Sequence, residues 1–93
     1  MTPVFSLSDF GRTFATRERG AELRDALLGE HPDATELTID LDEVLNFSYS
    51  FADEFFGKLA GERGIKVIIH NGSSRLDAII ARAVESRDGC AVL

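Results

Sequence analysis

Two hydrophobic periods alternate along this chain, and their order predicts its architecture. Leu37, Ile39 and Leu41 are separated by Thr38 and Asp40, a period of two that predicts a strand with one strongly buried face. Between Pro3 and Phe10, the apolar residues Val4, Phe5, Leu7 and Phe10 are interleaved with polar ones. This predicts an edge-like first strand, with Pro3 at its start where a missing N–H does little harm. Gly11 to Ala15 fits either a loop or a short second strand returning in a hairpin. From Thr16 to Leu28 the period turns helical: Gly20, Leu23 and Leu27 share a stripe with Ala26 beside it, and Gly29, His31 and Pro32 close the segment.

A second helix is predicted from Phe51 to Ala60. Phe51, Phe55 and Leu59 are four apart, with Ala52, Phe56 and Ala60 beside them, and Gly61 and Gly64 end the run. At this spacing most of Phe47, Phe51, Phe55 and Phe56 belong to the core, with one of Phe51 and Phe56 expected at the surface. Val67-Ile68-Ile69 is continuously apolar, the mark of a strand covered on both faces. Asn71-Gly72-Ser73 makes a turn into a third helix from Arg75 to Ser86, which packs Leu76, Ile79, Ile80, Ala83 and Val84. Strand followed by helix, three times over with short connections, predicts an α/β fold. Its mostly parallel sheet has three to four strands, with about three helices packed on it.

Length and composition narrow the picture. The chain has 93 residues, 44% of them apolar, which fits one small domain over residues 1–93 with 88–93 as a flexible tail. Ten basic and sixteen acidic residues give a net charge of −6; no basic stripe stands ready to neutralise phosphates, so nucleic acid is not an expected partner. Arg12, Arg17, Arg19 and Arg24 cluster, but Glu18, Glu22 and Asp25 lie among them, which predicts a salt-bridged solvent face. The lone Cys90 allows no intramolecular disulfide, and no segment approaches ~18 apolar residues. A cytoplasmic protein without a membrane partner is expected. Cys90-Ala91-Val92-Leu93 fits a prenylation pattern, yet no polybasic run precedes it, and it reads as part of the tail.

Enzyme signatures are absent: there is no Gly-x-Ser-x-Gly elbow, no Walker-type loop and no His-Glu-x-x-His pair. No catalytic role and no cofactor is expected. Asp40, Asp42 and Glu43 lack the spacing of a calcium loop, so no metal site is expected either. His31 beside Pro32 reads as solvated; His70, at a strand end, reads as structural or as a pH- or anion-sensing group.

The informative stretch runs from Asp40 to Gly57, a strand end, an acidic loop and a helix opening on serine. Ser50-Phe51-Ala52-Asp53 has the Ser-x-x-acid capping spacing, which makes Ser50 the expected N-cap, worth about 1 kcal/mol; Ser74-Arg75-Leu76-Asp77 repeats it. In open sheets the strand C-ends and following helix N-termini form the usual binding rim. Here that rim carries Asp40, Asp42, Glu43, Asn46, Ser48, Tyr49 and Ser50, then His70, Asn71, Ser73 and Ser74. A phosphate on Ser50 would add about −1.5 to −2 charges where the helix dipole tolerates them. Each unit of charge at ~5 Å from a partner carboxylate, at an effective dielectric of ~20, would cost about 3 kcal/mol of binding.

These residues resemble the STAS domain family, of the anti-sigma-factor-antagonist type, and more closely its small STAS-like branch of unassigned function. The resemblance covers about Thr35 to Glu85. Thr38-Ile39-Asp40-Leu41 is similar to the family's apolar strand ending in aspartate, Val44 to its following valine, and Ser48-Tyr49-Ser50-Phe51 to its Asp-Ser-Ser-Gly loop. Asn71-Gly72-Ser73-Ser74-Arg75 resembles the turn into its next helix. Ser48 stands for the family's aspartate, Tyr49 for the first serine and Phe51 for the glycine. The resemblance implies a bacterial regulatory domain whose partner is an ATP-binding anti-sigma or histidine-kinase-like protein. Ser50 falls on the serine that such a kinase phosphorylates, with Ser48 as second candidate. The implied partner surface comprises Asp40, Asp42, Asn46, Phe47, Ser48, Tyr49, Ser50, Phe51, Asp53 and Glu54. The competing reading is a module that holds a small anion or nucleotide at Asn71, Ser73 and Ser74.

Overall fold

In the computed structural model, which describes residues 2–93, the predicted alternation is realised with three further strands of two residues each. β1 (Val4–Ser6) runs into a 3₁₀ turn (Leu7–Phe10) and then β2 (Thr13–Phe14); α1 (Arg17–Glu30) leads to β3 (Glu36–Asp40) and β4 (Asn46–Phe47). The next helix, α2, is continuous through Tyr49–Ala52, Asp53–Gly57 and Lys58–Gly61, and is followed by β5 (Lys66–His70), α3 (Ser74–Glu85) and β6 (Ala91–Val92). The sheet order is β1-β3-β5-β6 with every pair parallel; β2 and β4 form a separate parallel pair. The first strand is shorter than its alternation predicts, because the chain turns at Leu7 to bury that side chain completely, and Phe10 then stacks on Phe5 at 5.1 Å. The segment left open at 11–15 holds a strand, though its partner is β4 rather than β1. Residues 91–92, expected in a flexible tail, instead pair with β5.

The crossovers through α1, α2 and α3 all step in one direction along the sheet. Right-handed connections of that kind place all three helices on the same face. Phe5, Leu37, Ile39, Val67 and Ile69 point to that face and are buried. Val4, Thr38, Ile68 and Val92 form one cross-sheet row on the opposite face, where Val4 is 64% and Val92 44% exposed. The apolar run in β5 is therefore covered on one face only, contrary to its sequence pattern. Ile68 owes its half-burial to neighbouring strands.

α2 is the centre of the molecule. Every residue from Phe51 to Gly57 is buried, because the helix lies between α1 and α3 and on the sheet. Phe51, Phe55 and Phe56 are fully buried and meet Phe5, Phe14 and Phe47 at ring-centroid distances of 5.0–5.9 Å. Each contributes roughly 1.5–3 kcal/mol of hydrophobic stabilisation. Neither Phe51 nor Phe56 is left at the surface. The helix widens at Asp53–Gly57 into a π-turn, in which the Lys58 N–H reaches back to the Asp53 carbonyl. Gly20 lets α1 come close: a Cβ there would lie 3.0 Å from both the Phe51 carbonyl oxygen and the Glu54 Cβ. At the other end the helix runs to Gly61, and the chain reverses at Gly64, whose φ of 66° suits glycine.

Candidate functional site: the rim at the strand C-ends

The loops leaving β3 and β5 are tied to each other by side chains. The Asp40 carboxylate accepts from Asn71 Nδ2 at 2.8 Å and from the Asp42 N–H at 3.0 Å. The Asn71 bond, then the Asp42 bond, hold this carboxyl below its ordinary pKa, with a smaller contribution from His70. Glu43 and Asn71, one in each loop, have left-handed backbone, at φ 67° and 59°. Asn71, a candidate anion-binding residue with Ser73 and Ser74, has its side-chain amide engaged with this carboxylate.

Both serine caps sit one or two residues earlier than the capping spacing predicts. β4 ends at Phe47 and the Ser48 N–H still bonds to the Phe14 carbonyl, so the helix begins directly after the strand. Ser48 Oγ accepts from the Phe51 N–H at 3.0 Å and donates to the Ala15 carbonyl at 2.9 Å. Ser48 is therefore the N-cap, and Ser50 is an exposed residue inside the first turn. At α3 the cap is Ser73, whose Oγ accepts from the Leu76 N–H at 3.2 Å, while Ser74 is the first helical residue and exposed.

Around Ser50 the surface is built from two helices and a loop. Tyr49, 38% exposed, lies under the Arg82 guanidinium at 5.2 Å, and its hydroxyl is 3.3 Å from Ser86 Oγ. Arg75 donates to Asn46 Oδ1 at 2.7 Å, and Leu45 beside it is 65% exposed. Leu45 and Arg82 lie outside the surface implied by the sequence. The seven-residue spacing of Arg75 and Arg82 puts them on one helix face, and that is the sequence signal for this side of the rim. Asp42 is exposed, and Asp40, Asn46 and Ser48 are half-buried.

Phe47, Phe51, Asp53 and Glu54, expected on the partner surface, are interior. The two acids are 8% and 5% exposed and form a charged seam joining α1, α2 and the segment after α3. Arg87 grips Asp53 through two bonds of 2.7 and 2.9 Å, and Arg17 adds a third at 2.8 Å. Glu54 pairs with Lys58 at 2.9 Å, with Arg24, and with Arg17 at 3.3 Å. Arg87 and, behind it, Arg17 hold the Asp53 pKa far below the usual carboxylate range against the cost of burial. Burial alone would raise Glu54; hydrogen bonds from Lys58, Arg24 and Arg17 outweigh it and bring Glu54 down to about 2. Of the arginines assigned to a solvent face, Arg24 turns inward to this seam and Arg17 reaches it from the surface with its side chain still half exposed, whereas Arg19 pairs with Glu22 along the helix at 3.4 Å.

Among the described residues, no group of three or more His, Cys, Asp or Glu side chains comes together in a way that could hold a metal ion. A surface depression of about 490 Å³ is lined by Thr2, Pro3 and 31–36, at the opposite end of the sheet from the rim. Among the described residues, no helix is long and apolar enough to cross a membrane.

Neither the curated proteins nor the solved structures contain a match to this chain. A family model does match, over residues 19–75, from α1 through both rim loops to the start of α3, well over half of the sequence. The chain belongs to the family described as the STAS-like domain of unknown function, DUF4325.

Proposed function

We propose that this is a non-enzymatic regulatory domain that binds another protein through the rim strip of Leu45, Asn46, Tyr49 and Ser50, and that phosphorylation of Ser50 switches the complex. The observation that carries the reading is the division of labour between the two serines. Ser48 performs the capping, so the Ser50 hydroxyl stands exposed in the first turn without a structural duty. A phosphate there gains from the free N–H groups and dipole of the helix start, and alters the surface without disturbing the fold. Ser48 suits that role poorly, since modification would break its bond to Ala15. The partner class follows from the resemblance to anti-sigma-factor antagonists: an ATP-binding regulator of the anti-sigma or histidine-kinase-like type.

A tagged pull-down with phosphopeptide mapping tests both halves. Recovery of an ATP-binding regulator and of phosphate on Ser50 is the expected result. Ser50→Asp is expected to weaken that complex roughly hundredfold, the cost of about one unit of charge facing a carboxylate, with the thermal midpoint unchanged. Equal affinity of both forms for the regulator would overturn the switch.

A further inference from the structure

The sheet face opposite the helices carries an ordered pattern of charge. Strand register sets Glu36 beside Lys66, Thr38 beside Ile68, and Asp40 beside His70; all six side chains belong to rows on the open face. β3 is thus an acidic column and β5 a cationic or hydrogen-bond-donating one, crossed by a row in which Val4, Ile68 and Val92 are apolar and Thr38 is buried between its neighbours. Glu36 lies 3.7 Å from Lys66 and also accepts from Thr2 Oγ1 at 3.2 Å. Val4 and Val92, at the two ends of this row, are its exposed ends.

We propose that this face binds a second copy of the chain, related by a two-fold axis parallel to the strands and passing between β3 and β5. That operation preserves height along the strands and exchanges left for right. Glu36 then faces the partner copy's lysine at 66, Asp40 faces the imidazole at 70, Thr38 meets Ile68, and Val4 meets Val92. The other in-plane axis, perpendicular to the strands, would set Glu36 against Asp40 and Lys66 against His70, so the charge pattern itself selects one symmetry. Isologous contacts of this self-complementary kind are the commonest in homo-oligomers, and aligned face-to-face sheets pack well at this orientation. Four strands of three, five, five and two residues, ~4.8 Å apart with a rise of ~3.3 Å per residue, present roughly 240 Å² of plan area. That is below the roughly 800 Å² per partner of a standard interface, so the dimer is weak and concentration-dependent.

Sedimentation equilibrium of the full chain, over a dilution series from millimolar to micromolar, tests this. The expected result is a monomer–dimer equilibrium that shifts to monomer at high salt. Lys66→Glu sets carboxylates together at two symmetric places and is expected to raise the dimer Kd roughly tenfold or more. Combining it with Glu36→Lys swaps the columns and restores the wild-type Kd, which also shows that the single variant did not fail by misfolding. A monomer at every concentration, a dimer indifferent to Lys66→Glu, or a double variant that fails to recover would each overturn the proposal.

Discussion

Ser48 and Ser50 are two positions apart and carry different loads. The Ser48 hydroxyl makes two bonds, one to the helix start and one to the chain before α1. Ser48→Ala is expected to cost about 1–2 kcal/mol of stability, and Ser50→Ala less than about 0.5 kcal/mol, both read from urea unfolding midpoints. The sequence points to Ser50 as the cap because Asp53, three residues on, looks like its capping partner. In the fold Asp53 is drawn away by Arg17 and Arg87, 36 and 34 residues distant along the chain. No local spacing encodes an attraction of that range. For the same reason Asp53 and Glu54 read as surface acids in the sequence and turn out to be the electrostatic lining of the core. Tyr49, Ser50 and Asn46 were legible as rim residues because helix starts after parallel strands always face the same end of the sheet.

At the scale of elements, α1 shows how one substitution can have opposite signs on a single helix. A Cβ at Gly20 meets the Phe51 carbonyl, a backbone atom in the packed centre, whereas a Cβ at Gly29 meets nothing within 4 Å. Gly20→Ala is expected to destabilise by about 1–3 kcal/mol through overpacking, and Gly29→Ala to stabilise by about 0.5–1 kcal/mol through helix propensity. Chemical denaturation of both variants checks the pair; a gain at Gly20 would mean that α1 and α2 have slack between them. The three helices and β3 were legible from their apolar periods and β5 from its continuous apolar run, whereas the alternation at 3–10 gave the position of β1 but overstated its length. β4 and β6 were not legible: each is two residues long, and a pairing that short leaves no period to read. Ile68 misled for a different reason, since an apolar residue on an open sheet face looks the same in sequence as one beneath a helix.

For the molecule as a whole, the seam of Asp53 and Glu54 sets the acid limit of stability. A carboxyl whose folded pKa lies below its unfolded value stabilises the fold fully above the unfolded pKa. That stabilisation is lost as pH falls through the folded one. Glu54, held at about 2 against an ordinary 4.5, contributes on the order of 3 kcal/mol that fades over that interval, and Asp53 acts in the same direction. Unfolding free energy is expected to be level from neutrality to about pH 5 and to drop below it. Glu54→Gln should lower the plateau by about 2–3 kcal/mol, because it strands its cations, and should flatten the acid slope. Thermal midpoints of both proteins across pH decide this; parallel curves would count against the seam. The all-parallel topology has a kinetic consequence. Val4 pairs with Thr38, Leu37 with Val67, Val67 with Ala91 and Thr13 with Asn46, so every strand pairing closes more than twenty residues of chain and no hairpin is available to start from. Refolding must begin with collapse of α2 and its phenylalanines against neighbouring helices, and the sheet can zip up only afterwards, at the slow rates of non-local topologies.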